Sequence, residues 1–152
     1  MLNVGTKAPG FTLQDADEND VTFASLTAGG PLILYFYPAD FTPGCTKEAC
    51  EIRDIHNEIR RVGLNVVGIS PQDAASHRRF RDKHELPFLL LCDPDKKVIR
   101  SYDVDGPLGL GTRRATYLIN GDGIIEDAVL ADIRIDRHRA FIKKAIAVRE
   151  AA

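Results

Sequence analysis

The sequence predicts an α/β fold in which a central mixed β-sheet is flanked by helices and preceded by an N-terminal β-hairpin. Three observations carry this expectation. The runs "LILYFY" (Leu32–Tyr37) and "LNVVGIS" (Leu64–Ser70) are apolar on both faces, as strands are when helices cover them above and below. Between such runs the apolar residues recur at spacings of three and four, the helical period. Near the end of the chain "RATYLIN" and "IIEDAVL" flank "GDG", a hairpin signal that adds antiparallel pairs to a sheet otherwise built by helical crossovers.

Taken in order, "FTLQDADENDVTFASL" alternates apolar and polar residues on either side of an Asp/Asn-rich turn and predicts the N-terminal hairpin. After the first buried strand, Cys45 to Val62 reads as one helix, with Ala49, Ile52, Ile55 and Ile59 on a single face and Gly63 as its stop. A second buried strand ends at Ser70. "PQDAASHRRFRDKHEL" then reads as a helix with a solvated basic face, "FLLLCD" as a third strand, and "PDKKVIRSYD" as a short helix. The GDG hairpin follows, and "RIDRHRAFIKKAIAVRE" closes the chain as an amphipathic helix. No repeat, low-complexity tract or linker interrupts this order, so residues 1–152 are expected to form a single domain. A chain of this size buries about 68–70% of the surface it exposes when unfolded and needs no disulfide to be stable.

Composition narrows the function. Twenty basic and 22 acidic residues give a formal charge of −2, with no long single-sign block, which argues against a nucleic-acid footprint or a membrane-binding patch. The N-terminus lacks a basic segment followed by an apolar one, and "PLILYFYP" is too short to span a bilayer. A soluble cytoplasmic protein is expected, acting on small molecules or other proteins. Its three cysteines, an odd number, fit thiol chemistry or metal binding better than a structural disulfide framework.

Two of those cysteines stand in "FTPGCTKEAC", where Cys45 follows a Pro-Gly break and Cys50 lies five residues on. The break sits at a strand-to-helix junction. The first helical turn carries N–H groups without intrahelical partners, and these together with the macrodipole favour negative charge. Lowering a thiol by two pKa units takes about 2.7 kcal/mol, whereas a helix dipole reaches ~2 kcal/mol in favourable settings. A cation is therefore required. Lys47 is near in sequence, though first-turn lysines commonly point to solvent; Arg114 could reach the site only through the fold.

The segment "YPADFTPGCTKEACEIRD" resembles the active-site segment of the peroxiredoxins, and its Cys-x4-Cys spacing is similar to that of the bacterioferritin-comigratory, or PrxQ, subfamily. The likeness runs through nearly the whole chain, from "VGTKAPGFTLQD" through "LCDPDKKV" to "RRATYLINGDG", and Pro38, Thr42 and Cys45 match the pattern Pro-x3-Thr-x2-Cys. The resemblance implies a thioredoxin-like fold and a thiol-dependent peroxidase acting on hydrogen peroxide and organic hydroperoxides. It makes Cys45 the peroxidatic cysteine, Cys50 the resolving cysteine that closes an intramolecular disulfide, and Arg114 the arginine beside the thiolate. It further implies a thioredoxin or similar dithiol reductant as partner, no cofactor, no metal, and a monomer or weak homodimer. Relatives often carry a Trp-Gly pair in the loop occupied here by "DGPLGLGTRR"; this chain has no Trp.

The residue types suit that chemistry. A thiolate attacks one peroxide oxygen while charge builds on the other; Thr42 supplies a hydroxyl, the Cys45 N–H and the Arg114 fork supply donors, and Pro38 shapes the pocket wall. Plainer readings exist for each. Cys45 and Cys50 could be buried apolar residues, Arg114 a surface ion pair like its neighbour Arg113, and Thr42 with Pro43 a helix cap and first-turn proline. Glu48 and Arg53 form a possible supporting ion pair. Cys92, in an apolar strand, reads as a buried spectator. The four histidines, His56, His77, His84 and His138, fall in charge-rich helical segments and read as solvated. Two other classes compete: a thioredoxin-like oxidoreductase, which wants Cys-x2-Cys, and a metal module using Cys45, Cys50 and His56, which lacks a second ligand pair.

Overall fold

The computed structural model describes the whole chain, Met1–Ala152. It runs β1 (Thr12–Asp15), β2 (Asp20–Thr22), α1 (Phe23–Ala28), β3 (Leu32–Phe36), α2 (Pro43–Asp54), α3 (His56–Arg61), β4 (Asn65–Ser70), α4 (Ala74–His84), β5 (Leu89–Cys92), α5 (Lys97–Ser101), β6 (Ala115–Ile119), β7 (Ile125–Leu130) and α6 (Ile135–Glu150). The strands form one mixed sheet in the order β2-β1-β5-β4-β3-β6-β7. Strands β3, β4 and β5 are parallel neighbours joined by helical crossovers, while β1, β2, β6 and β7 are added antiparallel. The expected mixed sheet, thioredoxin-like in class, is therefore present.

The both-faces-apolar character of β3 has a direct consequence. Ile33 and Tyr35 face one core with Cys45, Ala49 and Ile52 of α2, Ile59 of α3, Phe80 of α4 and Ile142 of α6. Leu32, Leu34 and Phe36 face the other, closed by Leu26 of α1 and Val98 and Ile99 of α5. Gly68 in β4 leaves room for the Tyr35 ring, since a Cβ there would stand 2.7 Å from Tyr35 Cζ. Burying both faces in this way locks β3 in place, and β3 carries the chain into the site.

Two local expectations are corrected, and the Gly-rich segment is the loop expected of it. The hairpin's second strand stops at Thr22, because the Thr22 hydroxyl accepts from Ser25 N–H and caps α1. The helix expected from Cys45 to Val62 is two helices, broken at Ile55 with no proline or glycine at the break. The Gly-rich loop contains a 3₁₀ turn at Pro107–Gly109, and Lys96 Nζ closes it by donating to the carbonyls of Gly109 and Gly111. No helix is long and apolar enough to cross a membrane.

Candidate active site

The site is assembled by strand register. Phe36, the last residue of β3, pairs with Ala115, the first of the antiparallel β6. Arg114 therefore stands beside the exit of β3, where the connection to α2 begins, and a residue 69 positions from Cys45 comes within reach of it. Strand alternation turns Arg114 inward, leaving it 5% exposed, whereas Arg113 turns out and pairs with Asp132.

Cys45 is the third residue of α2 and is 1% exposed. Arg114 Nη2 donates to its Sγ at 3.4 Å. Arg114 Nη1 donates to Glu48 Oε1 at 2.7 Å and its Nε to the Asp132 carbonyl at 3.3 Å. Three of the guanidinium's five N–H groups are thus committed, which leaves two to meet a ligand over the sulfur. Burial works against the Arg114 charge, but the charges of Glu48 and Cys45 outweigh it and hold its pKa above the ordinary value. Gly44 permits this approach: a Cβ there would lie 3.0 Å from Arg114 Nη2. In the first turn of α2 the earliest backbone bond is Thr46 N–H to the Thr42 carbonyl, so the N–H groups of Gly44 and Cys45 have no backbone acceptor.

Thr42 is the N-cap of α2, yet its side chain caps nothing; the hydroxyl donates to the Ala39 carbonyl at 2.9 Å. With its proton so committed, Thr42 Oγ1 presents lone pairs outward. Pro38 is half-buried at the start of the same connection, and Lys47 is exposed. Cys50 is partly exposed on the continuous helix α2, and all three cysteines are free thiols. Cys92 is buried at the end of β5, its Sγ 4.0 Å from the Asp15 carbonyl. Cys45, Cys50 and His56 do not converge, and no group of three or more His, Cys, Asp or Glu is placed to hold a metal.

Several partners escape the sequence reading. Glu48 pairs with Arg114, not with Arg53, which instead binds Asp54 and donates to the His84 carbonyl. Burial pushes the Glu48 carboxyl up to about 7 against the pull of Arg114. Its Oε2 has no hydrogen-bond partner and lies 3.6 Å from His138 Nδ1. That histidine donates through Nε2 to the Ala131 carbonyl and accepts at Nδ1 from the Thr116 hydroxyl, and burial lowers its pKa, so it is neutral. His77 and His138 are 0% and 1% exposed, which overturns the solvated reading for both. A usable signal existed: His77 lies three residues before Phe80, and His138 lies between Ile135 and Ile142, on the apolar stripe of each helix. Asp40, also buried, binds Tyr37, Ser76 and His77. The largest surface groove, about 580 Å³, lies at the opposite ends of the strands, between His56, Arg60, Asn65 and Leu89, and contributes nothing to this site.

Known proteins resemble this chain in sequence and in fold. The model of the AhpC/TSA family matches residues 4–128. A putative peroxiredoxin bcp of Coxiella burnetii is 41% identical over 147 residues, covering 93% of this chain and 96% of that one. The chloroplastic peroxiredoxin Q of Oryza sativa subsp. japonica is 44% identical over 126 residues, or 82% of this chain, which spans 58% of the length of that relative. Among solved structures, the peroxidoxin BcpB from Mycobacterium tuberculosis superposes with a TM-score of 0.89 at 32% identity, covering 99% of this chain and 98% of that one.

Proposed function

The chain belongs to the AhpC/TSA family of peroxiredoxins, and from that membership we propose that it is a thiol peroxidase in which Cys45 attacks hydrogen peroxide or an organic hydroperoxide. The observation that carries the reading is the Arg114 Nη2 contact with Cys45 Sγ, 3.4 Å long, at the buried face of the first turn of α2. The Arg114 guanidinium and the first-turn N–H groups without backbone acceptors lie at a sulfur held as a free thiol.

In the proposed reaction the Cys45 thiolate forms an S–O bond to the nearer oxygen as the O–O bond breaks. The sulfur supplies two electrons, and the departing alkoxide or hydroxide takes up a proton to leave as alcohol or water. Thr42 Oγ1, its own proton held by Ala39, accepts the hydrogen bond of the incoming hydroperoxide. The two free Arg114 N–H groups and the Cys45 N–H stabilise the charge on the separating oxygens. Pro38 walls the pocket. Cys45 is left as a sulfenic acid, which the Cys50 thiol condenses to a disulfide with loss of water. A dithiol reductant of the thioredoxin type then reduces that disulfide by exchange.

Stopped-flow oxidation by a stoichiometric peroxide tests the reading. We expect two thiols lost per equivalent in the wild type, Cys45 first and Cys50 as the disulfide closes, and none in Cys45→Ser; peroxide consumption by Cys45→Ser at the wild-type rate would overturn it.

A further inference from the structure

Between Tyr37 and Cys45 only one residue is buried, and it is an aspartate, Asp40. Pro38 and Ala39 are half-buried, and Phe41, Thr42 and Pro43 are exposed. The Asp40 carboxylate accepts from the Tyr37 hydroxyl at 2.7 Å and from the Ser76 hydroxyl at 2.8 Å, and its Oδ2 lies 2.7 Å from His77 Nδ1. On the far side of the ring, His77 Nε2 meets the Leu91 carbonyl at 3.0 Å. A carbonyl only accepts, and an ionised carboxylate only accepts. With Asp40 ionised, a ring that satisfies both carries a proton on each nitrogen, and the two form an imidazolium–carboxylate pair inside the protein.

The ionisable groups that face the ring are Asp40 and Tyr37 from the connection after β3 and Cys92 from β5. Burial opposes the charge on His77, but its hydrogen bond with Asp40 and the neighbouring Cys92 outweigh it and raise its pKa to about 9. A second feature lies one residue on. Phe41 has φ 65°, a left-handed conformation uncommon for an aromatic residue, and such backbone persists where its surroundings hold it. Its ring packs edge-on against Phe80 of α4 at 5.2 Å. The next residue is Thr42.

We propose that the Asp40–His77 pair is a positioning device for the peroxide reaction: held by α4 and β5, it fixes residues 38–42 so that Pro38 and Thr42 stand over the Cys45 sulfur. The proposal rests on Cys45 being the attacking thiol, and it assigns a role to two residues that touch neither the sulfur nor the peroxide. The pair acts through the loop backbone. Its loss therefore slows the reaction with peroxide, which needs Thr42 in place, and spares the reaction of the thiol with an alkylating agent that does not use the pocket.

Three measurements on the full chain test it. In ¹⁵N NMR of the reduced wild type, both His77 ring nitrogens should be protonated at pH 8; a neutral ring at that pH overturns the pair. In His77→Gln, first-turnover oxidation of Cys45 by hydrogen peroxide should fall at least tenfold and amide exchange at residues 39–42 should quicken, while alkylation of Cys45 by iodoacetamide stays within threefold of wild type. A peroxide rate within threefold of wild type, or an equal fall in both reactions, overturns the positioning role. Should that variant not fold, Ser76→Ala removes one donor from Asp40 and should quicken exchange at 39–42 and slow the peroxide step about threefold; no change in either also overturns it. If wild-type Cys45 proves inert to peroxide, the peroxidase reading fails instead, and the NMR result still decides the pair.

Discussion

Arg114 is held on three sides, by Cys45 Sγ, Glu48 Oε1 and the Asp132 carbonyl, so it has little freedom to search for a ligand and can act as a preorganised donor. Removing one such donor typically costs about 10²–10³ in rate. Arg114→Ala should therefore slow Cys45 oxidation at least a hundredfold, and Thr42→Val should slow it by tenfold or more, both with native circular dichroism; stopped-flow rates near wild type in either variant would remove that residue from the reaction. Glu48 offers a graded test. With its carboxyl near 7, it spends much of its time neutral at physiological pH, and Glu48→Gln keeps an oxygen for Arg114. That variant should react within about threefold of wild type, whereas Glu48→Ala strands a buried guanidinium and should lose tenfold or more. Equal behaviour of the two variants would show that Glu48 does not hold Arg114. Cys92 faces Asp15 and His77 and lies outside the contacts of Cys45, so Cys92→Ser should turn over at nearly the wild-type rate; failed recycling with Cys50 intact would move the resolving role to Cys92.

At the scale of one element, α2 presents a geometric conflict. It is unbroken from Pro43 to Asp54 and carries both Cys45 and Cys50. At 100° and 1.5 Å per residue on a ~2.3 Å radius, the two Cα atoms stand roughly 8.6 Å apart and about 140° around the axis, while a disulfide needs about 4.4–6.8 Å. The first turns must unwind for the bond to form. Unwinding has a natural limit, because Ile52 is in the core and Arg53 Nη1 donates to the His84 carbonyl at 2.8 Å. Oxidised wild type should therefore lose amide protection between residues 43 and 52 and keep it beyond. Protection unchanged from the reduced protein would sink the unwinding mechanism. In Cys50→Ser the first turnover should be normal, recycling by thioredoxin should largely fail, and excess peroxide should drive Cys45 to the sulfinic acid, detected as a 32 Da mass gain for its two added oxygens.

For the whole molecule, two buried groups lower stability as pH rises to 9. His77 is raised from 6.5 to about 9 in the folded protein. Its contribution, on the order of 3 kcal/mol, is complete below pH ~6.5 and is lost as pH rises through ~9, where the folded ring gives up its proton. Glu48, raised from 4.5 to about 7, has the same sign at lower pH: the folded state favours the protonated carboxyl, so stability drains between these values. The urea midpoint should fall as pH rises from 6 to 9, and His77→Gln should flatten the upper half of that fall. A midpoint independent of pH between 6.5 and 9 in the wild type would show that His77 is not charged in the fold.

The sequence by itself determined the class of fold and the position of the cysteine proposed to react. Both are written in short-range patterns: the doubly apolar run Leu32–Tyr37, the Gly121–Gly123 hairpin, and a cysteine two residues behind Pro43 at a helix start. Such signals need only neighbours along the chain. Only the tertiary structure decided which arginine faces the sulfur, because adjacent residues 113 and 114 differ solely in the face to which the β3–β6 register turns them. The same holds for Glu48, whose partner lies 66 positions away, and for His77 and His138, whose burial depends on which stripe of α4 and α6 the sheet receives. A histidine costs little in solvent and much inside unless it is paired, and its partners, Asp40 37 residues before His77 and Thr116 22 before His138, are brought to it by strand pairing and helix packing, which act across distances that no local pattern encodes.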